Sequence, residues 1–145
     1  MPHCSITIGP QGPLLVVYIG VSAPRKIAMH AAGVPIPAPV TATLIVDTGA
    51  SCTSIDKSLI AQLGLKPTGE TTILTPSTGS DPHLCSTYDV EMYIPGAPSS
   101  KHIPALAIID GSYLSHGHHG LLGRDVLREG RLVYSGPDAL VMLSF

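Results

Sequence analysis

The stretch 44-LIVDTGASCTSID-56 drives an acid into the end of an apolar run. Leu44, Ile45 and Val46 read as a strand entering a core, Asp47 follows at once, and Thr48-Gly49 turns the chain sharply. A carboxylate in that position is costly unless it is paired or shares a proton with a neighbour. A lone carboxylate does little chemistry, so the reading turns on where a partner for Asp47 comes from.

The remaining sequence narrows the setting. At 145 residues the chain is sized for one domain, 1–145, with 44% hydrophobic and 12% charged residues, enough to fill a core. With one Phe and no Trp, that core is built from Val, Ile, Leu and Ala; 14 Pro and 15 Gly imply many turns and few long helices. A net charge of −2 leaves no electrostatic footprint for nucleic acid or an anionic membrane surface. No run has the length of a membrane span, and MPHCSITIG lacks the basic-then-apolar pattern of a signal peptide, so the expected location is the cytoplasm. Three widely spaced cysteines, Cys4, Cys52 and Cys85, do not form a disulfide framework.

Short β-rich runs alternate with turn signals, the rhythm of a closed β structure: 5–8, 14–22, 41–47, 71–76, 86–94, 103–110, 132–135 and 139–145. The segment 23–40, with four prolines, reads as an extended or looped insertion in which 25–32 has room for a helical turn or two. Helices are expected over 54–65, capped by Ser54 or Asp56 and ended by Gly64, and over the short segment 123–130. The arms flanking 77-STGSDPH-83 form a hairpin over 71–94; Tyr88, Val90, Met92 and Ile94 alternate with Asp89, Glu91 and Tyr93, predicting one packed face and one wet face. A long hairpin with a small, polar tip suits a cover over a groove.

Two carboxylates sharing one proton can hydrolyse a peptide bond without a metal. The ionised member takes a proton from water while the protonated member donates to the carbonyl oxygen. Within the chain, Asp110 follows an apolar run but lacks the Thr before its Gly, and Asp125 reads as a helix N-terminal residue. The remaining solution is symmetry: a C2 dimer would bring two copies of Asp47 to one axis.

The sequence resembles the retropepsin-like aspartic proteases, the single-domain dimeric family of retroviral, bacterial and cellular enzymes. Three features carry the resemblance in order: 44-LIVDTGAS-51, the hairpin at 71–94, and 120-GLLGRDVL-127, over roughly residues 40–145. It implies an all-β, closed barrel-like acid protease fold with a flap hairpin, one or two short helices and the active site at a homodimer axis. By the same resemblance Asp47 is catalytic, Thr48 interlocks across the axis and Gly49 approaches the dyad. Ala50, Ser51, Leu121 and the hairpin tip at Thr78 and Gly79 are implied to meet the peptide. Leu122 and Gly123 close the loop behind the Asp strand, and Arg124 anchors the active-site loop. The termini are implied to interleave into an intersubunit sheet. The family implies no cofactor and no metal, and its partners are a second copy of the chain and a peptide or protein substrate.

Two departures carry consequences. Where retroviral members often place an Asp that pairs the helix Arg, this chain has Ser51, so Arg124 needs another partner such as a backbone carbonyl. Where pepsin-like members have a hydroxyl donor, this chain has Ala50; losing a donor to the charged form raises the dyad's titration and predicts a milder optimum than a gastric enzyme's. In 116-HGHHG-120 a metal site competes with a solvated loop, and His119, two residues before Leu121, is a third candidate for the substrate groove. Cys52 reads as a small packed side chain. Two functions from different classes remain: a homodimeric aspartic endopeptidase, and a non-catalytic peptide-binding dimer on the same fold. Asp47→Asn separates them, because it stops cleavage but not binding.

Overall fold

The computed structural model describes residues 1–75 and 79–145. Its strands, in chain order, are β1 (His3–Gly9), β2 (Gly12–Val21), β3 (Val40–Val46), β4 (Ser54–Asp56), β5 (Gly69–Ile73), β6 (His83–Ile94), β7 (Lys101–Gly111), β8 (Gly120–Leu122), β9 (Arg131–Ser135) and β10 (Leu140–Ser144). Among the described residues three short helices join them: α1 (Ala23–Ala31), α2 (Lys57–Gln62) and α3 (Arg124–Leu127).

Six strands close into a barrel. Neighbours run β6–β7–β4–β8–β3–β2, and β2 closes the ring by pairing antiparallel to β6, Tyr18 opposite Tyr93 and Val21 opposite Val90. Alternation along β2 and β3 points Val17, Ile19, Ala42 and Leu44 inward, all at 0% exposure, where they meet Met92, Ile108 and Leu122. Each Val, Leu, Ile or Met among them contributes about 1.5–3 kcal/mol on full burial, so the core needs no aromatic. The β-rich reading and the aliphatic core agree with this architecture.

Two expectations need correcting. Residues 54–65 do not form one helix: Ser54–Asp56 pairs parallel to β7 and antiparallel to β8, and only Lys57–Gln62 is helical, with Asp56 as its N-cap. Tertiary pairing overrides local helix propensity in that first turn. Gly64 does end the segment in the left-handed conformation, φ 63°. The second correction concerns the termini. β10 pairs with β1 along one edge and β9 along the other, and Phe145 N–H donates to the Pro2 carbonyl. Both edges of β10 are occupied within its own chain, so it has no free edge to interleave with a partner's terminal strand.

Within the insertion, Ala23–Ala31 forms a helix close to the expected 25–32, with Pro24 in its first turn, where a missing N–H costs nothing, and 34–39 runs on without regular structure. α1 buries none of its residues; Lys26 ties it to the barrel through an ion pair with Glu91. Glu91 is 2% exposed although its strand pattern predicts a wet face. A register shift against β7 between Val90 and Met92 re-aims it, Gly20 opposite leaves it room, and Lys26, Tyr93 and His102 complete its shell. Burial alone would push the Glu91 carboxyl up; hydrogen bonds from Lys26, His102 and Tyr93 outweigh it and hold the group below its ordinary value. Among the described residues no helix is long and apolar enough to cross a membrane.

Candidate active site

Asp47 stands where β3 leaves the barrel. β3 runs parallel to β8, Val46 lies opposite Leu122, and Asp47 N–H donates to the Leu122 carbonyl at 3.0 Å. The loop turns immediately: Ala50 N–H donates to the Asp47 carbonyl at 3.2 Å, and Gly49 N–H donates to Asp47 Oδ1 at 2.8 Å. A Cβ on Gly49 would stand 3.1 Å from that same oxygen, close enough that the carboxylate would have to give way. Asp47 is half-buried and Thr48 exposed at the tip.

The element 121-LLGRD-125 braces the loop from behind. Leu122 is fully buried, and Gly123 lies so close to Cys52 that a Cβ would meet its carbonyl carbon at 2.5 Å. Arg124 Nη1 donates to the Thr48 carbonyl at 2.8 Å, and Arg124 N–H donates to the Ala50 carbonyl at 2.9 Å. A carbonyl thus stands where a carboxylate at position 51 would have met the guanidinium. Asp125 adds a tie that its reading as a helix-start residue missed: it accepts from Thr53 N–H at 2.9 Å and from Thr53 Oγ1 at 2.8 Å. Thr53 Oγ1 in turn accepts from Gly123 N–H.

Beside Asp47 opens a cleft of 440 Å³. Gly49, Ala50 and Ser51 line its near side, and Leu121 and Ile109 its apolar wall. Ile73–Thr75, from the arm of the β5–β6 hairpin, line the opposite side, while Cys52, Ser54 and Tyr113 complete it. The hairpin arm stands over the cleft as the reading of 71–94 as a cover expects, whereas Tyr113 carries no signature in the sequence and arrives through sheet closure. Asp47 is the only carboxylate lining this cleft among the described residues. Asp110 turns away to accept from Ser86 N–H at 3.0 Å. Burial pushes the Cys52 thiol above its ordinary value, which disfavours the thiolate.

The other candidates fall in different places. Gly79 lies in the hairpin turn with φ 61° and does not line the cleft, and Thr78 is outside the described residues. His119 does not line it either: its Nδ1 accepts from Thr43 N–H at 3.0 Å, and its own N–H and carbonyl bridge Thr43 and Asp56. The two-residue alternation that would align His119 with Leu121 is broken at Gly120, φ 153°, where a Cβ would overlap the Ser54 carbonyl oxygen. In the His-rich run, His118 is buried with Nδ1 3.0 Å from the Gly120 carbonyl. Among the described residues no grouping of His, Cys, Asp and Glu is arranged to hold a metal ion.

Comparison with known proteins agrees with this geometry. The family model described as aspartyl protease matches residues 33–126. Among solved structures, the chain is similar to a retropepsin-like aspartic protease from Rickettsia conorii, at 20% identity and a TM-score of 0.61, over 99% of this chain and 90% of that one. The six-stranded barrel described above is therefore a retropepsin-like fold. No curated protein matches the chain significantly.

Proposed function

Since the chain belongs to the aspartyl protease family, we propose that two copies of it assemble into one endopeptidase, with a water activated between two Asp47 carboxylates. The observation that carries this is the solitary acid: one carboxylate lines the cleft among the described residues, while Asp110 and Asp125 are engaged elsewhere. The chemistry needs two, and a twofold axis supplies the second from a single gene.

On this reading each protomer contributes one Asp47, Thr48 reaches across the axis from its exposed tip, and Gly49 N–H steadies the ionised carboxylate. One Asp47 takes a proton from water as the oxygen attacks the scissile carbonyl; its mate protonates the carbonyl oxygen, giving a tetrahedral diol. As the diol collapses, one hydroxyl gives its proton to the second Asp47 and the departing amine nitrogen takes a proton from the first, so the pair again shares one. The peptide lies extended along the cleft under the β5–β6 hairpin, which acts as a flap, and its apolar side chains meet Leu121 and Ile109. Ala50 offers no hydroxyl to Asp47, which supports an optimum above that of gastric enzymes.

The test is subunit mixing. Wild type and Asp47→Asn are unfolded together in varying ratios, refolded and assayed against a peptide mixture from pH 3 to 8, with products read by mass spectrometry. Activity should follow the square of the wild-type fraction, leaving about one quarter at equal amounts. A linear fall, to about one half, would rule out the shared dyad.

A further inference from the structure

The cleft ends on a side chain that the catalytic reading does not use. Tyr113, half-buried, comes from the loop after β7, and its hydroxyl lies 2.5 Å from Ser54 Oγ. Three separate features hold it. Tyr113 N–H and Leu114 N–H donate to Asp56 Oδ2 at 2.6 and 3.2 Å, fastening the single 3-10 turn Leu114–His116 to the start of α2. Gly111 vacates the space the ring occupies, since a Cβ there would collide with it. The His118 ring backs it at 5.3 Å between centroids.

Asp56 is itself unusual: a buried carboxylate, 4% exposed, that does not line the cleft. Capping α2 requires a side-chain oxygen but no buried charge, and a Ser or Asn serves as well. What the second carboxylate oxygen adds is the pair of hydrogen bonds to the Tyr113 turn.

We propose that Tyr113 closes one side-chain pocket of the cleft and that Asp56, by holding it there, sets the size of substrate side chain the pocket takes. Tyr113 lines the cleft together with the aliphatic Ala50, Ile109 and Leu121, and on this proposal its ring takes the room that a substrate aromatic would need. The chemistry recognised is a branched aliphatic side chain such as Val or Leu, with Phe and Trp excluded. Tyr113 is then a specificity determinant and Asp56 a positioning residue, and the inference rests on the peptide-cleaving reading above.

The probe is a peptide library in which each position is varied among Val, Leu, Phe and Trp. It is read in two ways: by cleavage with Asp47 intact, and by affinity selection on an Asp47→Asn background that binds without cutting. Tyr113→Ala should raise the Phe-to-Val preference at one position by about tenfold or more, the scale on which a hydrophobic pocket discriminates size. Tyr113→Phe, which keeps the ring, should leave the ratio near wild type, and Asp56→Asn should shift it the same way as Tyr113→Ala by a smaller factor. A general loss of structure lowers all rates and leaves ratios alone, so the ratio is the informative readout. If Tyr113→Ala does not fold, Tyr113→Leu vacates part of the ring and carries the same comparison. Unchanged preference in both readouts overturns the proposal. A shift in binding with no cleavage by any protein keeps the pocket assignment and removes the proteolytic reading.

Discussion

Replacing Asp56 by Asn should destabilise the fold in a way that disappears in acid. The carboxyl accepts from Ser58 N–H at 2.9 Å through Oδ1 and from Tyr113 and Leu114 N–H through Oδ2. Burial pushes its titration up, but these donors outweigh burial and bring the group from 3.8 down to about 2. A difference of nearly two units corresponds to about 2 kcal/mol at 1.36 kcal/mol per unit. Because the folded value is depressed, that stabilisation is fully present above the unfolded value near 4 and is lost as pH falls through about 2. Asn retains one acceptor, and its amide group sits where the second oxygen stood. Urea denaturation of both proteins at constant ionic strength should show a gap of about 2 kcal/mol at pH 6, roughly half of that at pH 3, and well under 1 kcal/mol at pH 2. At pH 6 the gap amounts to roughly 6 °C in Tm. An equal gap at pH 2 and pH 6 would refute a charged Asp56 as the holder of this turn.

Three further outcomes follow from the geometry. Gly120→Ala combines φ 153° with a collision against the Ser54 carbonyl oxygen, so it should cost more than about 3 kcal/mol or prevent folding; a urea midpoint close to wild type would contradict the packing. Lys26→Met removes one partner of buried Glu91 and should cost about 1–3 kcal/mol, with faster limited proteolysis over 23–39; an unchanged digestion pattern would mean α1 is held by something else. Arg124→Met releases the Thr48 carbonyl and lets the Asp47 loop drift; kcat should fall about 100-fold with KM little changed, while a change confined to KM would place Arg124 in substrate binding.

The barrel was legible because its strands obey local rules. The apolar runs over 14–22 and into Asp47 need no partner to be recognised, and neither does the Leu-Leu-Gly-Arg run. The failures share a cause in long-range pairing. Ser54–Asp56 carries a respectable helix start, and only the backbone edges of β7 and β8 convert it to a strand. Glu91 looks solvent-facing until a bulge and a helix some 65 positions away in sequence cover it. His119 matches the phase of Leu121 on paper, but the backbone of Gly120 resets the phase between them. The cleft divided the same way: Asp47, Gly49 and Leu121 belong to motifs and Ile73 to the hairpin read as a cover, whereas Ile109 and Tyr113 arrive there only through closure of the sheet.

The stitching of β10 between β1 and β9 bears on how activity would be switched on. A protomer whose first and last strands are already paired can fold as a unimolecular event, with no demand for a partner. Under the proposed pairing, its thermal midpoint would stop falling with dilution below the dimer's Kd, while specific activity would keep falling there. Such a chain can accumulate as a folded, silent monomer, and local concentration becomes the trigger.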